Sequence, residues 1–153
     1  FGRQVYLAKS PEDMRRIVTS TGASPLLFQS FISESAGEDL RIYVVGGQAV
    51  AAIRRVNQSG DFRANLENGG VAFPHQLSAE EEALAIAACG AVHADFAGVD
   101  ILRSAHGPLV MEVNSSPGLE GIETTSGINI AALIIEYLEN NAEHGLTQTK
   151  GAG

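Results

Sequence analysis

Asp100, Glu112 and Asn114 are three oxygen-bearing side chains spaced so that they can meet at one point of a hairpin. Residues 98–103 read as one strand, 104–107 as a turn and 108–114 as the returning strand. Closing that pair sets Asp100 opposite Glu112, where facing side chains lie about 5 Å apart. Asn114 falls on the same face as Glu112 because side chains alternate along a strand, and Val99, Ile101, Leu109, Met111 and Val113 then point toward a core. Two facing carboxylates repel unless positive charge lies between them. A donor set made only of oxygen suits a hard cation, magnesium or manganese, better than zinc or copper. A half-buried hairpin with a merely acidic polar face is the alternative. Leu102 and Val110 on that face favour a ligand site over a fully wetted surface.

The elements around this hairpin are legible in outline. After Asn114, Ser115-Ser116-Pro117-Gly118-Leu119-Glu120-Gly121-Ile122-Glu123 forms a glycine- and hydroxyl-rich loop, a setting that suits phosphate oxygens beside carboxylates and that an ordinary turn would also resemble. Residues 39–45 and 48–56 read as strands joined by the Gly46-Gly47 pair, a tight hairpin connection. Arg54 and Arg55 point to opposite faces of the second strand, so at most one of them enters a site, whereas Asp39 and Arg41 share a face. Ser10-Pro11-Glu12-Asp13 combines a hydroxyl N-cap, proline in the first turn and early acids, and Met14, Ile17 and Val18 give the helix it starts an apolar stripe. Residues 5–8 and 26–32 read as strands. Ser78-Ala79-Glu80-Glu81 fits a capping box opening a scaffold helix that runs through Val92. A last amphipathic helix covers residues 128–141, with Ile130, Leu133, Ile134, Tyr137 and Leu138 on its buried side.

Composition sets the bounds. The chain has 153 residues, 44% hydrophobic and 18% charged, enough for one domain with a sizeable core. A formal net charge of -8 argues against a nucleic-acid surface. The lone Cys89 excludes an internal disulfide framework, suits a reducing cytoplasm and reads as a small buried apolar residue. No apolar run suggests a membrane span. His75 and His93 belong to no metal-ligand spacing, and His106 in the hairpin turn and His144 in the tail read as solvated. Residues 143–153 are polar and glycine-rich, a composition expected to be disordered.

Several separated motifs in one order resemble a known family. Gly98-Val99-Asp100-Ile101-Leu102 and Val110-Met111-Glu112-Val113-Asn114-Ser115-Ser116-Pro117-Gly118 look like the metal-binding end of ATP-grasp carboxylate–amine ligases, closest to the RimK type, which adds glutamate to the C-terminus of a small-subunit ribosomal protein. Gly37-Glu38-Asp39-Leu40-Arg41, Val50-Ala51-Ala52-Ile53-Arg54-Arg55 and Gly60-Asp61-Phe62-Arg63-Ala64-Asn65-Leu66 extend the similarity to about residue 140. The resemblance implies an α+β ATP-grasp fold, mainly antiparallel sheet with packed helices, of which residues 1–142 are the C-terminal portion. It implies ATP and two ions, Mg2+ or Mn2+, held by Asp100, Glu112 and Asn114 with Glu112 bridging. Ser30 and Phe31 would lie in the hinge that meets adenine through its backbone, Asp39 near the ribose, and Arg55, Arg63, Ala64 and Asn65 near the phosphates. Arg55 and Arg63 are the expected catalytic cations. The implied partners are L-glutamate and the tail of a small-subunit ribosomal protein, with no nucleic acid, no membrane, and homo-oligomerisation left open.

The chain holds only two lysines, Lys9 and Lys150, neither placed to grip a phosphate, which reads as the C-terminal part of a longer enzyme that alone is weakly active or inactive. Asp100→Ala or Glu112→Ala is expected to abolish turnover of the intact enzyme with little loss of fold, since removing one acid relieves repulsion. Three readings compete with this one: another ATP-grasp ligase with a different acceptor, a non-catalytic magnesium–nucleotide module, and a plain structural domain.

Overall fold

The computed structural model describes residues 4–64 and 69–142. Five strands, β1 (Glu38–Val45), β2 (Gln48–Asn57), β3 (Gly70–Pro74), β4 (Phe96–Ser104) and β5 (Gly107–Asn114), form one antiparallel sheet in the order β3-β2-β1-β4-β5. With α1 (Pro11–Thr21), α2 (Ala79–Ala91), α3 (Glu120–Ser126), α4 (Ile130–Asn141) and a 3-10 turn at Ser33–Ser35, the fold is α+β as expected.

Alternation along β1 explains both layers. Leu40, Ile42 and Val44 face one side, where they join Ala52, Ala97, Val99 and Ile101 against Ala85 and Cys89 of α2. Tyr43 and Val45 face the other, packing with Ala51 and Ile53 against Ile122 of α3 and Ile130 of α4. Asp39 and Arg41 continue that second row, so the polar site grows out of the edge of a buried core. The hairpin between β1 and β2 turns through Gly46 and Gly47, both at positive φ (56° and 77°). A Cβ at Gly46 would lie 2.6 Å from the Tyr137 ring, so this glycine also lets α4 pack onto the turn. The caps follow the sequence: Ser10 Oγ accepts from the N–H of Asp13 at 3.1 Å, and Ser78 and Glu81 form the reciprocal capping box at 3.2 and 3.0 Å.

Several expectations fail. Residues 5–8 and 26–32 form no strand: the sheet ends at β3 and β5, neither segment has a ladder partner, and Leu27 is 83% exposed. β3 goes unforeseen because it is a five-residue edge strand ending in proline, which reads as a turn. Helix α3 occupies part of the expected loop; its N-cap, Leu119, makes no side-chain cap and Gly121 sits in its first turn, so only the early acids Glu120 and Glu123 mark its start. Helix α4 begins at Ile130, capped by Asn129, and Leu138 points outward at 48% exposure while Ile134 and Tyr137 pack on the core. In the β4–β5 hairpin a bulge next to Asp100 pairs Leu102 with Leu109 and Ile101 with Val110. The extra residue exchanges the faces expected for Leu109 and Val110, so that Leu109 joins the acidic side. Residues 143–153, expected to be a tail, lie outside the described residues.

Candidate functional site

The β4–β5 ladder pairs Asp100 with Glu112 across the strands, and Asn114 pairs with Gly98 one step along the same face. Of the two facing acids, only Asp100 meets positive charge from the protein. Asp100, 2% exposed, accepts from Arg41 through Nε to Oδ1 and Nη2 to Oδ2, both at 2.7 Å, and from Arg55 Nη2 to Oδ2 at 2.8 Å. Arg55 is also paired with Asp39, Nε to Oδ1 at 2.6 Å and Nη2 to Oδ2 at 2.8 Å. Two aspartates and two arginines thus form an alternating cluster that is neutral as a whole. Planar guanidinium forks suit such two-pronged pairing. Burial raises the pKa of Asp39 against the opposing pull of Arg55. Burial also acts to lower that of Arg55, but the charge of Asp100 and the bond to Asp39 outweigh it and raise the value. Among the described residues, Nη1 of Arg41 and of Arg55 has no hydrogen-bond partner.

A cleft of about 1770 Å³ opens over this face. Its far wall is the 24–32 segment with Ser30 and Phe31, both exposed, and its floor includes Asp39, Arg41, Arg55 and Asp100. Glu112, Asn114, Arg63 and the buried Ala64 line it as well. It exceeds a typical pocket for one small ligand. Arg63 folds back onto Asp61, Nη2 to Oδ2 at 2.7 Å, with its guanidinium 5.7 Å from the Phe62 ring centre. Asn65 lies outside the described residues. Arg54 faces the opposite side, bonded to Glu38 at 2.9 Å, as the choice of Arg55 over Arg54 anticipated.

Residues 1–138 match the RimK-like ATP-grasp domain. The chain belongs to this family. Among its relatives, a probable alpha-L-glutamate ligase of Azotobacter vinelandii is 56% identical over 84% of this chain and 42% of its own length. One of the same name from Maridesulfovibrio salexigens is 46% identical over 99% of this chain and 51% of its own length. The chain therefore spans about half the length of these relatives. ATP-grasp ligase PsnB, solved with a minimal precursor, shares 26% identity and a TM-score of 0.60 over 83% of this chain and 41% of that one. PsnB in complex with a phosphomimetic precursor variant, Mg and ADP has a TM-score of 0.62 at 24% identity over 86% of this chain and 39% of that one, a likeness of fold.

The donor set of this ATP-grasp domain fits a hard cation in kind, all oxygen and no imidazole or thiolate. Glu112 is exposed and has no ion pair or hydrogen bond among the described residues. Asn114 Oδ1 accepts from the N–H of Ser116 at 2.9 Å, which turns the chain sharply after the strand. Among the described residues no group of three or more His, Cys, Asp and Glu side chains converges, so a cation here would rely on Asn114 and on ligands from substrate. Tyr43 is the residue that the sequence reading missed. Wholly buried, it donates its hydroxyl to the carbonyl of Gly118, and burial pushes its pKa up to about 12. Together with Pro117, which lies so close over Gly98 that a Cβ there would come within 2.9 Å, this bond pins the loop after Asn114 to β1 and β4. Its signal was available: Asp39, Arg41 and Tyr43 share one alternation phase, opposite to Leu40, Ile42 and Val44.

Proposed function

We propose that the protein to which this chain contributes is an ATP-dependent ligase that joins L-glutamate to a peptide carboxylate through an acyl phosphate. The observation that carries this reading is the Asp39–Arg55–Asp100–Arg41 cluster flanked by Glu112 and Asn114 on the floor of a cleft, in a chain of the RimK-like ATP-grasp family. The relatives' name supports glutamate as the amine, and the neighbour solved with its precursor supports a peptide as acceptor. The tail of a small-subunit ribosomal protein as that peptide rests on the resemblance of the motifs to the RimK type.

In this reading the acceptor carboxylate attacks the γ-phosphorus of ATP, ADP leaves, and the glutamate nitrogen then displaces phosphate from the acyl carbon with loss of a proton. Asp100, Glu112 and Asn114 would hold Mg2+ or Mn2+, one or two ions, which neutralise charge on the phosphate oxygens. Arg55, fixed by two acids and lining the cleft, would serve as a preset donor for a phosphoryl oxygen. Arg63, beside the buried Ala64, would reach the phosphates by leaving Asp61, and Asn65 would assist it. The backbone at Ser30 and Phe31 would meet the adenine edge, and Asp39 would approach the ribose from beneath. The pinned loop at residues 115–119 would help shelter the acyl phosphate from water. Its place is the cytoplasm, which supplies ATP and keeps the buried Cys89 reduced.

The test uses the full-length protein with ATP, magnesium and single amino acids against a glutamate-ended peptide, with products weighed by mass spectrometry. ADP release that requires glutamate, with a peptide heavier by glutamate residues, is expected. ATP binding without glutamate-dependent ADP release would leave only a nucleotide-binding module.

A further inference from the structure

Arg41 and Arg55 both hold Asp100, yet they are not equivalent. Arg55 has a second acid: without Asp100 it keeps both bonds to Asp39, at 2.6 and 2.8 Å. Arg41 has no other acid among the described residues, so Asp100 is its whole anchorage. The Arg55 side chain is 4% exposed and that of Arg41 16%, which puts Arg41 at the cleft side of the cluster. A cation bound to Asp100 while both guanidiniums stay would have two positive neighbours at contact range, a repulsion that costs much more than tenfold in affinity in a partly desolvated site. Metal and the Arg41 pair therefore compete for one carboxylate. Once released, the Arg41 guanidinium offers five N–H donors and needs an anion, and in this cleft the phosphate oxygens of a nucleotide supply one.

We propose that Arg41 is the resident cation of the metal position: it occupies Asp100 while the site is empty and moves from Asp100 to the nucleotide's phosphate oxygens when metal and nucleotide arrive together. The proposal rests on the reading of Asp100, Glu112 and Asn114 as the metal position, and not on the identity of the amine or the acceptor. Its consequence is coupling. Metal without phosphate leaves Arg41 unpaired, so metal alone binds weakly, and nucleotide relieves that cost.

The test measures Mn2+ binding to the full-length protein by electron paramagnetic resonance, with and without ADP, in wild type and in Arg41→Met. In the variant Mn2+ alone should bind about tenfold or more tightly than to wild type, and the gain from ADP should shrink, because the competing cation is gone. Equal or weaker binding of Mn2+ alone by the folded variant overturns the proposal. In wild type, the Arg41 Nε–H signal in a 15N spectrum, assigned through its bonds to the Arg41 backbone, should shift on adding magnesium and ADP while that of Arg55 stays. An Arg41 signal unmoved at saturation overturns it too, even where the variant fails to fold. Undiminished Mn2+ binding by Asp100→Asn in the presence of ADP would remove the metal position itself and the proposal with it. A protein that shows the coupling but transfers no glutamate would refute the ligase reading alone.

Discussion

At Asp100 a carboxylate with 2% exposure accepts three hydrogen bonds from two guanidiniums, so its removal is a matter of buried charge before it is one of catalysis. Asp100→Ala leaves Arg41 without an acid and Arg55 with one, and should lower unfolding free energy by about 3 to 5 kcal/mol, read by urea denaturation. Glu112→Ala, at an exposed and unpaired carboxylate, should change it by less than about 0.5 kcal/mol. On the proposed function, both changes should abolish turnover of the full-length protein. The expectation of little loss of fold is thus overturned for Asp100, whose buried charge is paired by Arg41 and Arg55, and stands as a prediction for Glu112. A second acid has its own pH signature. Burial tends to raise the pKa of Glu81, but bonds from His75, the Ser78 N–H and Arg103 overrule it and hold the value at about 2 against an ordinary 4.5. A depressed folded-state value stabilises the fold above the unfolded value and loses that contribution as pH falls from 4.5 toward 2. Urea unfolding at neutral pH and at about pH 3 should show a smaller acid loss in Glu81→Gln than in wild type.

Among the elements, the turns and caps define the helices and hairpins more firmly than hydrophobic periodicity does. Gly46→Ala combines a positive φ of 56° with a Cβ placed 2.6 Å from Tyr137, so it should cost about 1 to 3 kcal/mol and loosen α4, seen as a lower melting temperature. Tyr43→Phe removes one donor from the Gly118 carbonyl and should impair turnover of the full-length enzyme by freeing the loop while leaving the sheet folded. What was legible in the chain follows from local chemistry: the capping box at Ser78, the Gly46-Gly47 turn, the Asp100–Glu112 register, and Arg55 rather than Arg54 on the site face. What was not legible depends on neighbours. Residues 26–32 have strand-like composition but no strand beside them, the bulge that moves Leu109 leaves no mark in composition, and α3 lacks a cap. The Arg41–Asp100 pair joins residues 59 positions apart, a distance at which residue spacing within one hairpin has nothing to say.

Across the whole molecule, stability is unevenly spread. Helix α1 buries no residue, and Leu27 and Phe28 are 83% and 59% exposed, whereas β1 and β4 hold most of the residues with no exposure. Hydrogen exchange should show α1 amides opening at little cost and those of β1 and β4 only near global unfolding. Uniform protection would contradict that ranking. Four of the five strands form two local hairpins, β1–β2 and β4–β5, joined along the β1–β4 ladder, with β3 added at the free edge of β2. Each hairpin can close on its own turn, but the bonds from Arg41 and Arg55 to Asp100 cross the seam and exist only after the hairpins dock. A docking slip of one residue would turn Asp100 toward the apolar layer under α2 and present Val99 or Ile101 to the arginines, a penalty on both faces at once. The charge cluster should therefore disfavour misassembly: the same four side chains that floor the cleft penalise a misaligned sheet, so a chain misdocked at this seam would lack the cluster altogether.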